Sequence, residues 1–195
     1  MRSGSEGVSF VVFGSNQGRT GGFSFRLWPF LVALAVVLID RLTKIYIRSN
    51  FNDLDSVQVV PGWFRLIHTE NPGAAFGMLA DGNPLVRGLV LVGISLVVLC
   101  FVANALLKRA STLSSMASRL GLSFILGGAT GNLYDRVFRG TVTDFLEVYK
   151  GTWSFPAFNV ADSAITLGAV FLLLDLLWPA EKPDSRQAVH PPSDA

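Results

Sequence analysis

A single cysteine, Cys100, in 195 residues leaves no internal disulfide to build on. It lies inside an apolar run and reads as packing material. Only two histidines are present. They are His68 and His190, far apart and the second in a Pro-containing tail, so neither the ligand number nor the spacing that zinc needs is met; no metal and no other cofactor is expected. Charge is scarce as well, at 15% of residues, where soluble domains carry roughly 25%. The net charge is only +2, and the basic residues are scattered rather than gathered into a stripe, so nucleic acid is excluded as a partner. No Gly-x-Ser-x-Gly elbow follows a strand and no histidine is placed to activate a serine, which speaks against serine chemistry. Residues 1–26 lack the compact apolar core and small-residue cleavage site of a secretory signal.

What the chain has instead is apolar sequence: 50% of residues are hydrophobic and the mean hydropathy is +0.46. This composition predicts an integral membrane protein. Four segments are candidate spans, at about 27–47, 84–107, 117–134 and 159–178. The second has the length and continuity of a bilayer crossing. The third is diluted by Gly121, Gly127, Gly128 and Gly131, small residues that let membrane helices approach closely. The fold expected is therefore an all-α membrane protein, a four-transmembrane-helix bundle at 27–178. A small extracytoplasmic β-element is expected at about 49–83, where Ser-Val-Gln-Val-Val and Trp-Phe-Arg-Leu-Ile-His flank a Pro-Gly turn. Residues 1–26 and 179–195 read as a flexible and a disordered cytoplasmic tail. The connection at 137–157 carries Phe145, Tyr149, Trp153 and Phe155, residues suited to a headgroup layer. A modest excess of Lys and Arg in the tails and the 108–119 connection places both termini in the cytoplasm.

Polar chemistry is concentrated in three stretches: Gly-Asn-Leu-Tyr-Asp-Arg at 131–136, Val-Thr-Asp-Phe at 142–145 and Phe-Asn-Val-Ala-Asp-Ser at 158–163. A charged side chain in or beside hydrocarbon costs roughly 2.5–3.5 kcal/mol at mid-helix, so such residues read as functional. Asp144 and Asp162 would both lie at the outer interface. Two carboxylates held close do not both ionise easily, so one can keep a proton and act as acid while the other draws a proton from water. The competing reading is that each aspartate merely caps or solvates a helix end. Asn132 and Arg136, four residues apart, share a helix face and can bind a substrate carbonyl or hold the aspartates. Asp135 can form a local ion pair with Arg136, and Asn159 can cap the fourth helix or orient the pair. Asp40 and Lys44, at i and i+4, form a candidate salt bridge that lowers the cost of burying both. Asn71, in His-Thr-Glu-Asn-Pro-Gly-Ala-Ala-Phe-Gly at 68–77, can present its amide to the same place, with Gly73 and Gly77 permitting unusual backbone angles. Asp175, deep in the fourth span, is expected to face the cytoplasmic end.

Together these motifs, in order from 27 to 178, resemble bacterial lipoprotein signal peptidase, a membrane aspartyl peptidase family. The resemblance is carried by Asp40 and Lys44, Asn71-Pro-Gly-Ala-Ala-Phe76, Gly128-Ala-Thr-Gly-Asn132 with Asp135-Arg136, Val142-Thr-Asp-Phe145 and Phe158-Asn-Val-Ala-Asp-Ser163. It implies a catalytic dyad of Asp144 and Asp162, with Asn71, Asn132, Arg136 and Asn159 lining the site. It further implies a diacylglyceryl-modified prolipoprotein as substrate, cut just before the lipidated cysteine, and the cytoplasmic membrane of a bacterium as location. Two departures stand out, a longer amino-terminal tail and Thr143 where valine is usual. Two rival readings remain: a small transporter or channel lined by Asp40, Lys44, Asp135, Asp144 and Asp162, and a non-catalytic assembly factor. The first fits poorly with polar residues gathered toward one end of the spans; the second leaves the two aspartates without a role.

Overall fold

The computed structural model describes residues 24–53, 55–73, 83–108 and 115–178. The expected tails, apart from 24–26, and the Ala74–Leu79 part of the Asn-Pro-Gly motif, with Phe76 and Gly77, lie outside the described residues. Among the described residues, four helices and a four-stranded antiparallel sheet follow one another. Helix α1 spans Ser24–Asn50, so Pro29 lies within it rather than in its first turn. Strands β1 (Ser56–Val60) and β2 (Phe64–Asn71) form the expected hairpin, closed by a turn in which Gly62 has φ +80°. Helix α2 (Pro84–Lys108) and helix α3 (Met116–Arg139) come next. Strand β3 (Val142–Lys150), the short β4 (Trp153–Ser154) and helix α4 (Val160–Leu177) complete the fold.

Among the described residues, Pro84–Leu107 and Val160–Leu177 are long and apolar enough to cross a membrane. Their large side chains, Leu89, Val97 and Phe101 on α2 and Leu173 and Leu176 on α4, are exposed. A soluble core helix would bury them, whereas hydrocarbon can cover them. The other two helices carry the polar load: α1 buries Asp40 and Lys44, and α3 buries Ser118, Ser123, Asn132 and Asp135.

The connection between α3 and α4 departs from the loop expected there. Residues 142–150 form β3, which pairs with β2 and extends the sheet beyond the first connection. Gly140, at φ +79°, caps α3 in the left-handed conformation, its N–H donating to Arg136 O at 3.2 Å, and turns the chain straight into this strand. The aromatic residues Phe145 and Tyr149 are consequently buried rather than spread at an interface. Tyr149 Oη accepts from Gly62 N at 3.0 Å, tying the hairpin turn to β3.

Helix α3 is central and packs on α1, α2 and α4. Toward its start, Leu122 joins Val102 and Leu106 of α2 in an apolar cluster, with Phe30 and Leu172 against it. Asn132 lies ten residues further on, about 15 Å along the axis, at the end that leads to the sheet. Glycines set the α3 to α4 separation. A Cβ at Gly121 would meet Gly168 O at 2.7 Å, and one at Gly168 would meet Gly121 O at 2.6 Å, so neither side tolerates a methyl without the helices parting.

Gly121→Ala and Gly168→Ala are each expected to cost about 1–3 kcal/mol, read as a lower unfolding midpoint in detergent micelles. The double variant should lose less than the sum, because either methyl separates the same two backbones. Full additivity would show that the two glycines do not share one contact.

Candidate functional site

The site begins where α4 starts. Asn159 is its N-cap: Asn159 Oδ1 accepts from Asp162 N at 2.9 Å, and Asp162 Oδ2 receives Asn159 N at 3.3 Å, a reciprocal capping box. Chain entry is fixed by β3, since Phe158 O accepts from both Phe145 N (3.0 Å) and Leu146 N (2.8 Å), and Phe158 N donates to Leu146 O at 3.0 Å. Asn159 is thereby laid against Asp144, and its Nδ2 donates to Asp144 Oδ1 at 2.7 Å. Asn159 thus caps α4 and at the same time contacts the Asp144 carboxyl.

Asp144 stands on β3 opposite Thr69 of β2. Its other oxygen, Oδ2, accepts from Asn71 Nδ2 at 3.0 Å, while Asn71 Oδ1 accepts from Gly73 N at 2.9 Å and so holds the amide the right way round. Burial pushes the Asp144 carboxyl up from its ordinary 3.8 to about 6. The Asn71 and Asn159 amides and the Lys44 charge pull against this, and the Asp162 charge adds to it. Asp162 is bound through Oδ1 by Asn132 Nδ2 at 2.7 Å. Asn132 also bridges to the second amide, its Oδ1 accepting from Asn159 Nδ2 at 3.2 Å. The carboxylates therefore belong to one network through two touching asparagines.

Beneath that network lies a buried cluster of charges. Lys44 Nζ donates to Asn132 Oδ1 at 2.9 Å, which leaves only the Asn132 Nδ2 side free to face Asp162. Lys44 is fully buried and lies 2.8 Å from Asp40 Oδ2 and 2.9 Å from Asp135 Oδ2. Asp40 Oδ1 accepts from Ala161 N at 2.9 Å, in the first turn of α4. Arg41 Nη1 closes the set on Asp135 Oδ1 at 2.7 Å, its guanidinium stacked 4.0 Å from the Tyr134 ring centroid. The Asp40–Lys44 pair anticipated from spacing thus forms. Asp135 is corrected: its ion pairs run across the bundle to Arg41 and Lys44 of α1 and not to adjacent Arg136, because a helix turns neighbouring residues to different faces.

Arg136 lies within electrostatic reach of Asp162, Asp144 and Asp135. Its buried Nε has no hydrogen-bond partner among the described residues. Asp175 lies apart from all of this, accepting from Ser118 Oγ near the start of α3. No group of three or more His, Cys, Asp or Glu with metal-binding geometry occurs among the described residues. The reading from sequence overlooked Arg41, whose signal was its position one residue after Asp40, and Glu70 and Thr143, which face each other across the ladder.

A bundle with apolar outer helices, carrying buried carboxylates and amides at the end next to a small sheet, is the architecture of a membrane enzyme. Two solved structures described as bacterial membrane enzymes share it, both at a TM-score of 0.67. One is 31% identical, covering 77% of this chain and 87% of that one; the other is 29% identical, covering 78% and 94%. In sequence, the lipoprotein signal peptidase of Solibacter usitatus is 45% identical over 148 residues, 76% of this chain and 89% of that protein. The Pseudomonas fluorescens lipoprotein signal peptidase is 39% identical over 174 residues, 87% and 96% of the two chains. Residues 32–178 match the signal peptidase (SPase) II family, and the chain belongs to that family of peptidases.

Removing the central cation tests the charge cluster. Lys44→Met leaves Asp40 and Asp135 buried around an apolar side chain and is expected to cost about 3–5 kcal/mol, measured by denaturation in micelles. A variant of wild-type stability would mean that the aspartates are solvated or protonated in place.

Proposed function

We propose that the chain is an aspartyl endopeptidase that removes the signal peptide from diacylglyceryl-modified prolipoproteins, cutting just before the lipidated cysteine, with Asp144 and Asp162 as the catalytic pair. One observation carries the reading: two carboxylates from different elements are tied into a single network by Asn71, Asn132 and Asn159, while Arg136 senses both. A capping or solvating role requires none of this convergence.

In this reading the ionised member of the pair takes a proton from water, whose oxygen attacks the scissile carbonyl carbon. The protonated member polarises the carbonyl oxygen. The tetrahedral intermediate then collapses, the carbon–nitrogen bond breaks, and the leaving amine takes up a proton from the pair. Arg136, with its unsatisfied Nε, supplies positive potential for the developing oxyanion. The proton belongs to the pair as a unit, so the pH dependence reports macroscopic values of both groups.

The membrane setting follows the same logic. All four helices cross the cytoplasmic membrane of a bacterium, with both termini cytoplasmic and the sheet on the extracytoplasmic side. α1 and α3 tolerate their polar residues because these are paired in the bundle interior rather than offered to lipid. The carboxylates then stand at the bilayer surface, where a lipid-anchored cysteine presents the bond beside it.

Asp144→Asn and Asp162→Asn are each expected to abolish cleavage of a diacylated prolipoprotein by the purified chain while leaving it folded. Full activity in either variant would end the proposal. With Asp144 raised to about 6 by burial and by the neighbouring Asp162 charge, the pair holds its one proton below that value, so kcat/KM should fall on the alkaline side as pH rises through it. Stability runs the same way: native Asp144 binds a proton that the unfolded chain releases between 3.8 and about 6, so wild-type stability declines as pH rises through this window. Asp144→Asn should flatten that decline, and a thermal scan against pH reads it directly.

A further inference from the structure

One cluster of polar groups beside the carboxylate pair has no place in that chemistry. The β2–β3 ladder slips between two points of contact: Leu66 opposes Leu146, but Thr69 opposes Asp144, so β2 advances three residues where β3 advances two. Such a bulge leaves a residue unpaired and locally interrupts the ladder. The backbone N–H groups of Phe145 and Leu146 are moreover turned to Phe158 O, away from β2. Register on the Asp144 side of the bulge rests on three residue pairs, Thr69 with Asp144, Glu70 with Thr143 and Asn71 with Val142, where side-chain bonds between the strands can reinforce it. A slip of one residue would carry Asp144 to the opposite face of the sheet.

Glu70 stands at that point, opposite Thr143 and next to Asn71. Its Oε1 accepts from Thr143 Oγ1 at 2.8 Å and its Oε2 from Thr141 Oγ1 at 2.6 Å. Thr143 is fully buried, and its hydroxyl also receives Arg48 Nη1 of α1 at 2.9 Å. A guanidinium only donates and a carboxylate only accepts, so the hydroxyl must point to Glu70. The ionic neighbours are more distant: Arg139 Nη2 lies 3.6 Å and His68 Nε2 3.4 Å from Oε1. The short bonds go to Thr143 of β3 and to Thr141 just before it, and they mark the carboxylate as a clip between strands rather than a surface ion pair. Although burial works against its charge, the hydroxyls of Thr141 and Thr143, with His68 and Arg139, hold Glu70 below the usual carboxylate range.

We propose that Glu70 is a positioning residue: by bonding Thr141 and Thr143 it locks β3 in register beyond the bulge, so that Asp144 meets the amides of Asn71 and Asn159. Its effect on rate rests on the peptidase reading above; its effect on the strand does not. Glu70→Ala and Glu70→Gln are compared with wild type as full chains in micelles, by kcat and KM on a diacylated prolipoprotein and by amide hydrogen exchange. Glu70→Ala should lower kcat about 10- to 100-fold, the scale of a displacement near 1 Å at a reacting group, with KM little changed and with faster exchange confined to residues 142–150. Glu70→Gln can still accept from one threonine and donate to the other, and should restore most of the lost rate and protection. Wild-type kcat and exchange in Glu70→Ala, acceleration throughout the chain, or Glu70→Gln as impaired as Glu70→Ala would each overturn the proposal. A wild-type chain that does not cleave would remove the peptidase reading instead, and exchange at 142–150 would still decide the clip.

Discussion

The whole polar end of the bundle depends on one ammonium group. Lys44 is sealed from solvent between Asp40 and Asp135, where an unpaired charge would be prohibitive. Two anions face two cations there, Arg41 being the second, so the cluster is neutral as a set. Its members tie three helices together: Asp40 of α1 holds the first turn of α4 through Ala161 N, Asp135 ties α3 to α1 through Arg41 and Lys44, and Lys44 orients Asn132 of α3. Removing Lys44 would thus reach the carboxylate pair through the amide that positions Asp162.

That arrangement demands close helices, and the glycines of α3 provide them. A Cβ at Gly131 would stand 2.6 Å from Asp40 Oδ2, and one at Gly128 would stand 2.4 Å from Ala161 O. The first clears room for the Asp40 carboxylate, and the second lets the start of α4 approach until Ala161 N can reach that same carboxylate. The glycines that make the third segment a weak membrane span by composition are the ones that bring α1, α3 and α4 together.

Much of this was legible in the sequence because it is local. The Asp40–Lys44 pair follows from helical spacing, the Asn159 cap from its place three residues before Asp162, and the first hairpin from β-branched residues around Pro-Gly. What escaped was long-range. Residues 142–150 show four buried positions in a row at the start of β3 rather than alternation, because α1, α3 and the Phe158–Asn159 entry to α4 pack against the strand, and a continuous run carries no period of two. Sequence offers Asp135 its neighbour Arg136 as a partner, and nothing in one chain segment reveals that Arg41 and Lys44 stand across from it. The Glu70–Thr143 contact was invisible for the same reason: strand register is a property of two segments and a bulge.

The choice of asparagine around the carboxylates has a physical logic. Asn71, Asn132 and Asn159 each donate one hydrogen bond to Asp144 or Asp162 while their carbonyl oxygens are held by Gly73 N, Lys44 Nζ and Asp162 N respectively. A lysine or arginine in direct contact would fix a carboxylate in its ionised form. A neutral amide orients the oxygen without settling where the proton sits, and the lysine charge acts at one remove, through Asn132. The arrangement fixes the carboxylate oxygens while keeping the lysine out of direct contact with them, as the proposed exchange of one proton with water and an amide requires.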